Sequence, residues 1–255
     1  MPIFSYLCFR FFKKIGLLKY ILPSLLLFFP CQLFLAGPKD VPAKDETGAK
    51  TAAVSVQDPA VSLFREMNLE GVVNFTAFRQ AVTGYYKIKE RKRDVLTLID
   101  FSKPSTEERL YVFDLKNKQM LFSSIVSHGK NSGNNYATSF SNEYGSYKSS
   151  LGFYLTENTY QGRNGYSLVL EGLEKGINDR ARERAIVMHG AAYCDPSVIR
   201  NGGRLGRSFG CPAVPKKLTR PIIDAIKGGS VLYIYAAKPE YLTASSILKD
   251  TQPLM

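Results

Sequence analysis

Two short segments hold the residues best suited to covalent chemistry: Ala185–Gly190 (AIVMHG) and Gly203–Pro215 (GRLGRSFGCPAVP). Cys211 in the second can attack a carbonyl as a thiolate, and His189 in the first can take the thiol proton as a general base. The glycine-rich stretch before Cys211 has neither helical nor strand period, which predicts a shaped loop. In that loop Gly210 lets a substrate backbone approach the sulfur. The amides around Gly210 and Cys211 are candidate oxyanion donors, and Ser208 helps to shape the turn. Arg204 and Arg207 are close enough in sequence to favour the thiolate or to hold a substrate carboxylate, unless they are simply solvated. His128, in Ser127–Lys130 (SHGK), follows a predicted strand and is a candidate for the rim of the same cleft.

These residues need rigid carriers. Short runs rich in Val, Leu, Ile, Tyr and Phe predict strands over Val95–Phe101, Leu110–Asp114, Met120–Ser127, Tyr166–Leu173, Ala185–His189 and Val231–Tyr235. His189 ends one of them, so a strand would deliver it to a rim with little positional freedom. Lys116–Lys118 reads as a hairpin turn, and no βαβ alternation is apparent. The expected fold is mainly β, an antiparallel β-sandwich or barrel over residues 93–240. Before it, Val61, Phe64 and Met67 recur at helix spacing. Asn74 can then cap a second helix that carries Phe78, Val82 and Tyr85, so 58–92 reads as a small helical hairpin. A late helix carries Leu218, Ile222 and Ile226 on one face and ends at Gly228 and Gly229. Residues 241–255 read as a C-terminal tail.

The N-terminal region has a different character. Arg10, Lys13, Lys14 and Lys19 precede an uncharged, apolar run from Tyr20 to Ala36, the layout of a secretory signal peptide or an N-terminal membrane anchor over 1–37. Residues 38–57 are a polar linker with few large apolar groups. Either form of the signal implies export, to the periplasm or cell envelope. Removing 1–37 takes away four positive charges and no acids, which lowers the net charge from +12 to +8. A basic exported domain suits an anionic envelope polymer, although solvated surface charge explains it equally well. Only Cys194 and Cys211 then remain, and two cysteines in an oxidising compartment can pair. The two histidines, His128 and His189, and the two cysteines show no metal-ligand spacing, and no glycine-rich phosphate loop follows a strand. No metal, cofactor or nucleic acid is expected.

The His-Gly pair followed about twenty positions later by Ser-any-Gly-Cys resembles the murein L,D-transpeptidase catalytic domain family. The resemblance extends to Phe140-Ser141-Asn142, Gly145-Ser146, Ser150–Tyr154, Arg184–Val187 and Gly206-Arg207-Ser208, and covers roughly 60–237. It implies a mainly β domain acting on peptidoglycan stem peptides, with Cys211 as nucleophile, His189 as base, and Ser208 and Gly210 in the loop that shapes the oxyanion site. A thioester at Cys211 would pass to an amine, as in an L,D-transpeptidase, or to water, as in an L,D-carboxypeptidase. The chain departs from the commoner pattern in three ways: Phe209 stands where many relatives carry a second histidine, Pro212-Ala213 replaces a stretch that ends in arginine shortly after the cysteine, and the spacing of 22 from His189 to Cys211 is somewhat long. Two other readings stay open here. One is a sortase-like cysteine transpeptidase, for which Arg220 lies nine positions past Cys211. The other is a catalytically silent wall-binding module with a Cys194–Cys211 disulfide.

Overall fold

A computed structural model describes residues 58–249. The predicted signal or anchor and the whole of the linker lie outside them. Two helices come first, α1 (Pro59–Glu66) and α2 (Phe75–Lys87). Asp58 caps α1 by accepting from the Ala60 amide at 2.9 Å, and Asn74 caps α2 by accepting from Ala77 at 3.1 Å. The strands are β1 (Val95–Asp100), β2 (Leu110–Asp114), β3 (Gln119–Ser124), β4 (Gly152–Gly162), β5 (Gly165–Gly172), β6 (Val187–Ala191), β7 (Ala213–Pro215) and β8 (Val231–Tyr235). Between β6 and β7 lies α3 (Pro196–Gly202), between β7 and β8 lies α4 (Lys216–Ile226), and α5 (Pro239–Ala244) follows β8. The eight strands form one sheet in the order β3-β2-β1-β8-β4-β5-β6-β7.

The sheet curls nearly shut. Beyond β3 the chain crosses to the far edge, where the Ser127 amide donates to the Ala213 carbonyl at 2.8 Å. This is the mainly β, barrel-like fold that the sequence predicts. Every residue of β1 and β8 is buried, because α2 and α4 pack on them, so both read as continuous apolar runs rather than alternating ones.

Three expectations change. The pairing is not antiparallel throughout, since β1 runs parallel to β8 and β6 parallel to β7. A βαβ crossover is therefore present after all: β6, α3 and β7, where the sequence between His189 and Cys211 showed no helical period. Strand β4 was not expected either, because its outer half, Glu157–Gly162, is polar and largely exposed. The tail is also more than a tail. Tyr241 and Ser245 donate to the fully buried Glu174 carboxylate, Tyr241 at 2.8 Å, which ties α5 to the domain.

Candidate active site

The β6–β7 register brings the two chemical segments together. His189 pairs with Ala213, and the same parallel register carried two residues back sets Cys211 beside Val187. With two residues per repeat, Val187 and His189 project from one face of β6, and strand dimensions put the Cα atoms of Cys211 and His189 about 8 Å apart. The His-Gly pair has a packing reason. A Cβ at Gly190 would lie 2.1 Å from Thr219 Oγ1, so glycine is what allows α4 to seat against β6 immediately after the histidine.

The loop before Cys211 is held by its own hydrogen bonds. The Ser208 amide donates to the His128 carbonyl at 2.9 Å, and the Lys130 amide donates to Ser208 at 2.8 Å. Ser208 Oγ accepts from the Gly210 amide at 3.0 Å and donates to the Cys211 carbonyl at 2.7 Å. Ser149 Oγ donates to the Gly210 carbonyl at 3.0 Å. Gly210 has φ +127°, and a Cβ there would meet the Lys148 carbonyl at 2.8 Å, so conformation and space both require glycine. The expectation that the Gly210 amide stabilises an oxyanion is not met, because Ser208 already occupies it.

Cys211 is partly buried, with a free thiol whose Sγ lies 3.6 Å from the Ala185 carbonyl. Burial pushes its pKa above the ordinary thiol value, against the smaller opposing effects of the Val187 amide and the Arg184 guanidinium. His189 is nearly fully buried, and burial holds its pKa below the ordinary imidazole value. Its Nδ1 sits 3.1 Å from the Gly190 carbonyl. A protonated Nδ1 satisfies that contact and leaves Nε2 as the free base nitrogen, a tautomer assigned from the hydrogen bond. At neutral pH the site therefore holds an uncharged thiol and an uncharged imidazole.

The sequence matches a family model, L,D-transpeptidase catalytic domain, over residues 69–235, well over half of the chain. The chain belongs to that family. Among solved structures it is similar to the L,D-transpeptidase from Mycobacterium smegmatis, at 14% identity and TM-score 0.35, covering 56% of this chain and 59% of that one. It is similar also to the helical cell shape determining protein Pgp2 from Campylobacter jejuni, at 12% identity and TM-score 0.38 over 62% of this chain and 56% of that one. A third is the L,D-transpeptidase (Yku) from Stackebrandtia nassauensis, at 12% identity and TM-score 0.34 over 70% of this chain and 76% of that one. The chain thus spans under two thirds of the length of the first two. No curated protein matches it.

Family membership sets aside the sortase-like reading. The silent-module reading loses its disulfide, since Cys194 and Cys211 are both free. Cys194 is fully buried in this transpeptidase domain, 3.0 Å from Ser127 Oγ, and donates to the Ala213 carbonyl at 3.1 Å. Burial pushes its pKa up to about 11.

Three further expectations need correction. His128 does not present its ring to a cleft: it is buried, with Nδ1 2.9 Å from Arg109 Nη2, and only its backbone carbonyl reaches the Cys211 loop. Arg204 is turned onto the Leu205 carbonyl at 2.7 Å. Arg207 ties down Lys130 and Gly133 at 3.1 and 2.9 Å. The cation that acts on Cys211 is instead Arg184, which donates to the carbonyls of Ser141 and Lys148 at 2.8 and 2.6 Å. It stands 27 positions earlier in the chain, so proximity in sequence pointed to the wrong arginines.

Sequence reasoning also missed the cavity beside the histidine, of about 590 Å³. Arg163, Tyr166, His189, Tyr193, Lys216 and Arg220 are among its lining residues. Burial raises the pKa of Tyr193, and the neighbouring Cys194 adds to that. The one local signal was Gln161–Tyr166 (QGRNGY), whose Asn-Gly marks the β4–β5 hairpin carrying Arg163.

Proposed function

We propose that the chain carries out cysteine-dependent acyl transfer on peptidoglycan stem peptides. Cys211 Sγ attacks the carbonyl between an L-centre and the terminal D-residue, while His189 Nε2 takes the thiol proton as the S–C bond forms. The same proton then goes to the departing amine as the C–N bond breaks, which leaves a thioester and a neutral histidine. An amine of a second stem, or water, attacks the thioester next and gives its proton to His189, which passes it to the Cys211 sulfur as the S–C bond breaks, so that the thiol and the neutral histidine are both restored. The Cys211 amide, with no carbonyl partner among the described residues, is the donor left for the oxyanion. Ser208 and Gly210 act by shaping the loop. The proposed setting is the cell envelope, reached through the N-terminal segment.

The observation that carries the proposal is the parallel register His189↔Ala213, which sets a free thiol beside the strand of a neutral base in a member of this family. The test is mass spectrometry of the intact protein with a disaccharide-tetrapeptide, and with imipenem as a trap, since a related L,D-transpeptidase has been solved in complex with imipenem. One acyl adduct is expected, mapped to Cys211, kept in Cys194→Ala and absent from Cys211→Ala. An adduct on Cys194, or labelling that persists in Cys211→Ala, would overturn the proposal.

A further inference from the structure

The cavity beside His189 is unusual in its charge. Arg163 comes from the β4–β5 turn, while Lys216 and Arg220 lie one turn apart on α4, so three cations from two separate segments face one space. All three are exposed, none forms an ion pair among the described residues, and no acidic side chain lines the cavity. Arg220 has only an aromatic partner, its guanidinium 4.4 Å from the centre of the Tyr166 ring. The nearest carboxylate on the same helix face, Asp224, is occupied by the Tyr166 hydroxyl and Lys227, each at 2.7 Å. Three like charges converging on one cavity repel one another unless an anion lies among them.

The position of the cavity narrows the choice of anion. His189 lines it, and on the acyl-transfer reading, on which this inference rests, His189 serves the nitrogen that leaves and then the nitrogen that attacks. The atoms next to that nitrogen must therefore lie on this side of the thiol. In a terminal D-amino acid the carbon bearing the nitrogen also bears a free carboxylate, a planar anion that guanidinium groups bind through paired hydrogen bonds. We propose that the Arg163–Lys216–Arg220 cavity is the amine-side subsite, binding a carboxylate carried on the same carbon as the reacting amine. It would hold the terminal D-residue as it departs and then select acceptors that are α-amino acids over simple alkyl amines.

The test measures binding, so it does not depend on turnover. Full-length protein carrying Cys211→Ala is titrated with a tetrapeptide stem ending in D-alanine and with the same stem ending in D-alaninamide. A lost charge-assisted contact predicts roughly 10- to 100-fold weaker binding of the amide. Adding Arg163→Gln, Lys216→Gln and Arg220→Gln together should bring the two peptides to equal affinity, and because these positions are exposed and the three charges repel, the unfolding temperature should not fall. Equal affinity in the parent, a preference that survives the triple substitution, or no binding of either peptide at millimolar concentration would each overturn the subsite. Failure of wild-type protein to form a thioester would count against acyl transfer and leave the binding comparison intact.

Discussion

At the scale of single residues, the site is a neutral pair rather than a thiolate–imidazolium pair. Burial pushes Cys211 up and His189 down, so each group favours its uncharged form. The nucleophile is then generated only as the base removes its proton. The rate of thioester formation should rise through an ionisation below pH 6.5, where His189 loses its proton, and stay level across neutral pH. Alkylation of Cys211 by iodoacetamide should still be climbing above pH 9, whereas an ion pair would already be at plateau near pH 6. His189→Ala should slow acylation by roughly 10²–10⁴-fold, the range for a lost general base. That loss should narrow as pH approaches the thiol's own ionisation. An unchanged rate at neutral pH would remove His189 from the mechanism.

At the scale of elements, the site depends on how closely α4 sits against β6. Thr219 is buried at that contact, and its hydroxyl donates to the Pro215 carbonyl at 3.1 Å, which fixes the start of α4 just after β7. Gly190→Ala would drive a methyl group into Thr219, so β6 and α4 must separate or tilt, and His189 moves with its strand. The expected cost is about 1–3 kcal/mol, as for other overpacked interiors, with a clear fall in acylation rate. Adding Thr219→Ala should recover part of both losses. Unfolding temperature together with the rate of thioester formation would check this, and a fully stable, fully active Gly190→Ala would show that the contact has room to relax.

At the scale of the whole domain, a buried polar cluster couples the barrel's closing edge to pH. Arg109 is fully buried and donates to the Val126 carbonyl through Nε and Nη2, at 3.0 and 2.7 Å, and to Lys103 at 2.9 Å. It thereby holds the chain that leaves β3 for the Cys211 loop. His128 beside it has its pKa lowered to about 4, by burial first and then by the Arg109 charge. The unfolded chain takes up a proton at His128 below about pH 6.5, and the folded one only near pH 4. Stability that is fully present above pH 6.5 should therefore fall as the pH drops towards 4, by about 3 kcal/mol from this group. Urea unfolding between pH 7 and pH 4 should show a shallower acid loss in His128→Gln than in the parent. Parallel slopes would assign the acid sensitivity to other groups.

What the sequence determined by itself was whatever depends on near neighbours in the chain. The cap at Asn74, the runs of β1, β2 and β8, the helix through Leu218, Ile222 and Ile226, and the chemistry of Cys211 and His189 all follow from local residue types and periods. Tertiary structure decided what depends on residues far apart. The parallel register of β6 and β7 lies across a crossover whose helix, Pro196–Gly202, buries no side chain and so shows no apolar period. Arg184 rather than Arg204 or Arg207 acts on the thiol because β6 and its approach, not the flanking loop, run beside Cys211. His128 looked like a rim residue from its strand-end position, yet the closure of the sheet turned it inward onto Arg109. The Arg163–Lys216–Arg220 cavity exists only where a hairpin turn and the face of α4 meet, a juxtaposition made by packing across more than fifty residues of intervening chain.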